Sequence, residues 1–148
     1  MLTDAAPDRE QAAARMRSAG LKVTEPRLAV FAAIRAGEHV DAEEIFRRVS
    51  IALPSTSLQA VYGVLAALSG VGLLRKIEPA GSSALYENRI GDNHHHLVCT
   101  RCNAVHDIGC VIGEAPCLTP SETHGFQIAT AEVTFWGLCA DCQREVTG

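Results

Sequence analysis

The sequence predicts an α+β protein made of two parts, a helical N-terminal part and a smaller C-terminal part of short strands and loops. Apolar residues follow helical spacing up to about residue 70, whereas short strand-like runs dominate beyond residue 90. The charges divide in the same way: residues 1–89 hold 11 of the 13 Lys and Arg against 10 acids, and residues 90–148 hold two Arg against seven acids. We therefore expect domains over 1–89 and 94–148, joined by a hinge over 90–93.

Four helices are predicted in the first part from apolar spacing and capping residues. Gly20 ends the first, Thr24 caps the second with Pro26 in its first turn, and Asp41 caps the third. A serine and threonine run, 55–57, caps the fourth. The predicted ranges are 9–19, 27–35, a third helix after Asp41, and a fourth that extends to about Ser69.

Two strands, 73–78 and 84–87, are expected next, joined by a turn through Pro79 and Gly81. Short helices followed by a hairpin are the element order of a winged helix. In a helix-turn-helix arrangement the first residues of the reading helix face base edges, which makes the fourth helix a candidate DNA reader. An ordinary amphipathic helix with solvated charges explains the same residues and remains an alternative. The DNA-binding candidates are Ser57, Gln59 and Tyr62 on the fourth helix, with Lys22, Arg27, Arg75 and Lys76 as phosphate contacts.

The second part contains three predicted strands, 95–99, 105–108 and 127–136, and all six cysteines. Two CxxC pairs, Cys99 with Cys102 and Cys139 with Cys142, predict a closed four-sulfur zinc site of the structural kind. A redox dithiol and plain buried thiols are the alternatives.

Cys110 and Cys117 lie outside both pairs. They are interpreted as small buried thiols, with a redox switch as the alternative if they come within disulfide reach.

The segment His94-His95-His96 predicts a second kind of metal site. Side chains alternate in an extended chain, so His94 and His96 point to one face and His95 to the other. A nitrogen and oxygen ligand set favours Fe, Mn, Zn or Ni. A solvated histidine run is the alternative. Candidate partners are His39, Glu87, His106, Asp107 and Glu114.

From about Glu10 to Cys142 the chain resembles the ferric uptake regulator family of metal-dependent repressors. The resemblance rests on several segments together. These are Gly20-Leu21-Lys22-Val23-Thr24 with Arg27, His39, Val61-Tyr62 with Leu65 and Leu68, Gly72-Leu73, Asn93 to Cys99, and the two CxxC pairs. Segments 91–96 and 113–118 look like the actinobacterial members that are linked to catalase-peroxidase genes.

This resemblance implies a homodimer with an N-terminal winged-helix DNA-binding domain and a C-terminal α/β dimerisation domain. The four CxxC cysteines match the structural zinc ligands. The residues that match the regulatory site for Fe(II) or Mn(II), which bridges the two domains, are His39, Glu87, His94, His96 and Asp107. A further family metal site matches His95 and Glu114, but the histidine expected on the last strand falls at Ala131.

The resemblance alone does not decide between iron sensing and peroxide sensing. Family peroxide sensors carry Asp at the position of Asp107, and Fe(II) there reacts with peroxide and oxidises its histidine ligands. This favours a peroxide-responsive repressor, whereas the carboxylate of Glu87 favours iron sensing. One departure from the family is Gly63, where many members have a basic or polar residue after the tyrosine, so the operator sequence is not predicted.

Other classes of protein fit the sequence less well. A zinc enzyme needs an open coordination position and a catalytic base, and no motif such as HExxH occurs. A metal carrier without DNA binding does not explain the winged-helix order of elements. No apolar run approaches a transmembrane length, and the polar, acidic N-terminus does not resemble a secretory signal, so we expect a cytoplasmic regulator that binds operator DNA and no membrane.

Overall fold

The computed structural model describes residues 8–79, 81–88, 94–109, 120–128 and 133–148. The described residues up to Asn88 form one compact unit, and those from His94 onward form a second. Within these ranges the chain contains five helices and two three-stranded sheets, which confirms the predicted α+β class. None of the described helices is both long enough and apolar enough to cross a bilayer.

The first unit consists of four helices and one sheet. Three of its helices begin at side-chain caps: Thr24 accepts from the Arg27 N–H, Asp41 from the Glu44 N–H and Ser57 from the Ala60 N–H. In chain order the elements are α1 Arg9–Ser18, α2 Glu25–Ala32, β1 Val40–Asp41, α3 Ala42–Ala52, α4 Leu58–Gly70, β2 Arg75–Ile77 and β3 Leu85–Glu87.

Two predicted elements in this unit have wrong bounds. Helix α2 begins at Glu25, two residues earlier than expected, because Thr24 caps it. It ends at Ala32, three residues earlier than expected. Its last turn tightens, with the Ile34 N–H bonded to the Phe31 carbonyl. The predicted strand 73–78 is also shorter than expected, since Leu73 and Leu74 are buried in the core before β2 begins.

The sheet of the first unit contains a strand that the sequence pattern did not predict. Strand β1 pairs antiparallel with β3, which also pairs with β2, so the order is β1-β3-β2. Val40 lies opposite Tyr86. In an antiparallel register the residue before Val40 therefore faces the residue after Tyr86, and His39 becomes the cross-strand neighbour of Glu87.

The core of this unit connects the helix that precedes His39 with the candidate DNA reader. Phe31 and Ile34 from α2 and its end, and Leu65 and Leu68 from α4, are completely buried in one cluster. Burying each such side chain contributes roughly 1.5–3 kcal/mol. Helix α2 packs directly against α4, so these two elements are positioned by the same core.

The second unit is a small sheet followed by a helix: β4 His94–Cys99, β5 Val105–Gly109, β6 Thr134–Gly137 and α5 Ala140–Thr147. Strand β4 is central, antiparallel to β5 and parallel to β6. The predicted strand 127–136 is wrong at its start, since Gln127 and Ile128 are not in a strand and the described strand begins at Thr134. Helix α5 was not predicted.

Several predictions fall on residues outside the described ranges. They concern the hinge at 90–93 and the residues Cys110, Glu114, Cys117 and Ala131.

Candidate metal centres and nucleic-acid interface

The four cysteines of the CxxC pairs converge in the second unit. The Sγ atoms of Cys99, Cys102, Cys139 and Cys142 all lie within 4.8 Å of one another. Cys99 ends β4, and a turn in which the Asn103 N–H bonds the Cys99 carbonyl brings Cys102 back beside it. Cys139 is the N-cap of α5, which places Cys142 in the first turn of that helix.

The spacing of these sulfurs fits a tetrahedral zinc ion. Zn–S bonds of about 2.3 Å in a tetrahedron separate the sulfurs by about 3.8 Å. The Cys102 and Cys139 Sγ atoms are 3.8 Å apart. All four thiols are free rather than in disulfides. The donor set leaves no open position, which is the arrangement of a structural site rather than a catalytic one.

The thiols of this cluster differ strongly in acidity. Backbone N–H groups of Cys102, Cys139 and Arg101 lower the pKa of the Cys99 thiol to about 6. In contrast, hydrogen bonding with Cys139, together with burial, raises the pKa of Cys142 to about 12. Without a metal the cluster therefore retains thiol protons at neutral pH, and a metal ion that binds all four sulfurs has to displace them.

A buried histidine–carboxylate pair lies in the first unit. His39 Nε2 is 2.9 Å from Glu87 Oε2, and the two side chains are 4% and 0% exposed. Two ligands that occupy neighbouring positions on one ion, each about 2.1 Å from it, are about 3.0 Å apart in octahedral geometry. The pair thus has both the atoms and the spacing of two metal ligands on one side of an ion.

A second histidine–carboxylate pair lies in the second unit. His96 faces Asp107 across the β4–β5 ladder, with Nε2 3.2 Å from Oδ1 and both side chains nearly buried. His106 was also a candidate ligand, but it lies opposite Leu97, so its side chain points to the other face of the sheet. The register therefore selects Asp107 and not His106 as the partner of His96.

His95 precedes His96 in β4 and is 1% exposed. Among the described residues neither of its ring nitrogens has a hydrogen-bond partner, which is costly for a buried imidazole. The backbone of His94 lies in β4, opposite Gly109, while its side chain is outside the described part of the structure.

The predicted DNA-reading residues lie on the exposed start of α4. Gln59 is exposed, and Tyr62 is exposed by 49% although it is aromatic. The Ser57 Oγ accepts the Ala60 N–H as the helix cap and keeps its own proton for donation. Gly63 follows Tyr62 on an open part of the helix surface, where an added Cβ would contact nothing.

The predicted phosphate contacts differ in exposure. Lys22 is exposed, whereas Arg27 is half-buried and its guanidinium donates to the Lys22 carbonyl at 2.7 Å. Arg75 is half-buried on β2. The neighbouring Lys76 forms an ion pair with Glu78 at 2.7 Å.

Sequence reasoning missed one group of residues near the His39–Glu87 pair. Arg48 on α3 donates to the Ala33 carbonyl at 2.8 Å and to Glu38 Oε2 at 2.8 Å. The Asn88 amide donates to the Ile34 carbonyl at 2.7 Å. The contacts span 10 to 54 positions of sequence, so no local pattern could have revealed them.

The comparisons with known proteins agree with one another. The sequence model of the ferric uptake regulator family matches residues 18–136. The transcriptional regulator FurA of Mycobacterium tuberculosis is 55% identical over 130 residues, which cover 88% of each chain. Ferric uptake regulation protein 1 of Mycolicibacterium fortuitum is 49% identical over 121 residues, 82% of this chain and 75% of the relative.

A solved structure has the same fold. The ferric uptake regulator of Helicobacter pylori, in which three functional metal-binding sites have been described, superimposes with a TM-score of 0.70 at 20% identity. The match covers 94% of this chain and 96% of that one. The relatives are transcriptional regulators, which confirms the expectation of a regulator rather than an enzyme.

Proposed function

The chain belongs to the ferric uptake regulator family of metal-responsive transcriptional regulators, and we propose that it is a homodimeric repressor that binds operator DNA when Fe(II) or Mn(II) occupies its regulatory site. Loss of the metal, or oxidation of its ligands by peroxide, releases the operator. The proposed targets are catalase-peroxidase and oxidative-stress genes, and the site of action is the cytoplasm.

The observation that carries this proposal is the buried pair of His39 and Glu87 inside the DNA-binding unit. Two ligands do not complete the coordination of Fe(II) or Mn(II), which accept nitrogen and oxygen donors in sets of about six. His96 and Asp107 form a matching pair in the second unit. We propose that both pairs, with His94, bind the same ion.

This arrangement accounts for metal-dependent DNA binding. Ligands contributed by two units hold those units in one relative orientation when they share an ion. In a homodimer that orientation sets the distance between the two α4 helices, which has to match the half-site spacing of the operator. Metal binding to one arrangement shifts the population toward it by the difference in affinity.

The thiol cluster has a separate role in the proposal. Cys99, Cys102, Cys139 and Cys142 hold a structural Zn(II) whose four thiolate bonds stabilise the small second unit. The 3.8 Å separation of Cys102 and Cys139 sulfurs supports zinc, and the absence of an open position in a four-sulfur set argues against catalysis.

The DNA contacts are assigned to the exposed start of α4 and to nearby basic residues. Tyr62 and Gln59 are proposed to contact bases, which their exposure supports. The phosphate contacts are proposed to be Ser57, Lys22, Arg27 and Arg75.

Peroxide sensing is proposed on the chemistry of the His96–Asp107 pair. In this pair His96 would be a ligand of Fe(II), and the ion would supply the activation of peroxide beside the histidine ring. Overall, one peroxide oxygen is inserted into a ring C–H bond of the histidine and the other leaves as water. The oxidised ring loses its affinity for the ion. Iron homeostasis is the second candidate function. It is favoured by the buried carboxylate of Glu87 and by a relative that is named ferric uptake regulation protein 1.

A further metal site at His95 and Glu114 is also proposed. The support is the burial of His95, whose two ring nitrogens have no partner within the described ranges. Comparing the metal stoichiometry of the wild type with that of His95→Ala tests this site, and equal stoichiometry would remove it from the proposal.

The proposed function is tested by operator binding. Zinc-loaded protein is titrated onto its own upstream DNA with Fe(II), Mn(II), Zn(II) or no added metal, each with and without peroxide. The proposal predicts binding with Fe(II) that peroxide abolishes, and binding with Mn(II) that peroxide leaves intact. Binding that ignores all metals contradicts the sensor function. Fe(II)-dependent binding that survives peroxide favours iron homeostasis.

A further inference from the structure

The C-terminal end of α2 is closed by two side chains from distant parts of the first unit. The last carbonyls of a helix have no partner within the helix and need donors from elsewhere. Arg48 Nη1 donates to the Ala33 carbonyl at 2.8 Å, and Asn88 Nδ2 donates to the Ile34 carbonyl at 2.7 Å. The residue at the helix cap is Ala33, in right-handed conformation, so this end does not use the usual glycine cap.

Each of these two donors is linked to one member of the His39–Glu87 pair. Asn88 directly follows Glu87 in the chain. Arg48 Nη1 also donates to Glu38 Oε2 at 2.8 Å, and Glu38 directly precedes His39. The Glu38 carboxylate in turn accepts the Arg35 N–H at 3.1 Å, which closes the loop that leads from α2 to His39.

From these contacts we infer that Arg48, Glu38 and Asn88 are positioning residues that hold His39 and Glu87 at metal-binding separation by fastening both to the end of α2. This inference rests on the proposed function, in which His39 and Glu87 bind the regulatory metal.

The strand pairing alone does not hold both ligands in place. Strand β1 has only two residues and begins at Val40, one residue after His39. The segment from Ala33 to Glu38 therefore sets the position of His39 from the other side, and Arg48 fixes both ends of this segment. Ligands that are already ordered bind a metal more tightly, because binding then costs less conformational entropy.

The same contacts connect the ligand pair with the DNA reader. Helix α2 packs against α4, and Arg48 belongs to α3, which begins directly after β1. A displacement of His39 or Glu87 is thus transmitted to the helix end that shares a core with α4. Residues that orient metal ligands from outside the coordination shell typically change metal affinity by about 10- to 100-fold when removed.

The test uses full-length, zinc-loaded protein and Mn(II) as the probe, with free Mn(II) measured by electron paramagnetic resonance. Asn88→Asp keeps the shape of the side chain and removes the N–H donor. The negative charge that it adds beside Glu87 would by itself favour Mn(II), so weaker Mn(II) binding reports the lost donor. Arg48→Gln removes the bridge to Ala33 and Glu38. Arg47→Gln is the matched control, because Arg47 is the neighbouring residue on α3 and its exposed side chain pairs with Glu44.

We expect Asn88→Asp and Arg48→Gln each to weaken Mn(II) binding about tenfold, with Arg47→Gln within twofold of the wild type. The absorption bands of Co(II) bound at the same site should shift in both variants, which a loss of general stability would not cause. At saturating Mn(II) the variants should recover operator binding. If Arg48→Gln fails to fold, Asn88→Asp decides alone.

A His39→Ala variant separates the two levels of the proposal. If His39→Ala loses tight Mn(II) binding while Asn88→Asp and Arg48→Gln bind like the wild type with unchanged Co(II) bands, the positioning role is overturned and the proposed function stands. If His39→Ala binds Mn(II) like the wild type, the proposed ligand set is wrong and the positioning role falls with it.

Discussion

His39 Nε2 lies 2.9 Å from Glu87 Oε2, and the two side chains are 4% and 0% exposed. Their proximity follows from the β1–β3 register, which places Val40 opposite Tyr86 and therefore His39 beside Glu87. Burying these two polar side chains costs desolvation free energy, which pairing them with each other offsets only in part. The proposed ligand role gives this buried pair a function.

Replacing Glu87 by Gln tests the contribution of its charge. The substitution preserves shape but removes the negative charge that favours a divalent cation, so we expect the Mn(II) concentration needed for half-maximal operator binding to rise at least about tenfold. Fluorescence anisotropy with labelled operator DNA measures this shift. Glu43→Gln is the control, because Glu43 is an exposed carboxylate in the first turn of α3. Equal metal dependence of the two variants would contradict the assignment of Glu87.

Replacing Cys102 by Ser tests the structural zinc. A hydroxyl is a poor substitute for a thiolate ligand, so the variant should lose most of its bound zinc and the second unit should unfold at lower temperature. Zinc content by mass spectrometry and the thermal unfolding midpoint are the two measurements. Thr100→Ala, in the same turn, should retain full zinc content. A Cys102→Ser protein with normal zinc and normal stability would show that the four sulfurs do not act as one site.

Zinc affinity should depend on pH in two stages. The thiol of Cys142, with a pKa of about 12, is protonated throughout the neutral range, so zinc has to displace its proton and the apparent affinity falls as the pH falls. Cys99, with a pKa of about 6, is already a thiolate at pH 7 and adds proton competition only below about pH 6. Chelator competition between pH 5 and 8 should show a steeper slope below pH 6. An apparent zinc affinity that does not change with pH would contradict the displacement of thiol protons.

Some parts of the molecule could be predicted from the sequence alone. Helices α2, α3 and α4 could be predicted because Thr24, Asp41 and Ser57 are capping residues placed before apolar repeats. The thiol cluster could be grouped from the CxxC spacing alone, because two residues between cysteines suffice to place both sulfurs at one ion. In both cases residues that are near one another in the sequence carry the whole signal.

Other features depend on tertiary contacts and left no local signal. Strand β1 has two residues and shows no alternation, so the sheet was predicted as a hairpin. Helix α5 is polar and short, and its N-cap is Cys139, which the sequence pattern indicates only as a zinc ligand. The choice of Asp107 over His106 needed the β4–β5 register, and the link between Asn88 and Ile34 needed the folded chain.

The DNA-reading surface can be tested at Tyr62. Replacing this exposed residue by Ala should reduce operator affinity about tenfold or more, because a lost base contact typically costs about 1–3 kcal/mol. Affinity for unrelated DNA should change less. Ile51→Ala is the control, since Ile51 is a large side chain on α3 that is 77% exposed. A Tyr62→Ala protein that distinguishes its operator as well as the wild type would mean that α4 is not the reading helix.

The central claim is that ligands from the two units share one ion, and the number of tight Mn(II) sites per zinc-loaded chain tests it most directly. Binding is measured for the wild type, for His39→Ala in the first unit and for His96→Ala in the second. The account predicts that either substitution alone removes the same tight binding event and the same metal-dependent operator binding. If each variant instead keeps one tight site, so that only the double variant loses both, the two pairs bind separate ions and the account is wrong.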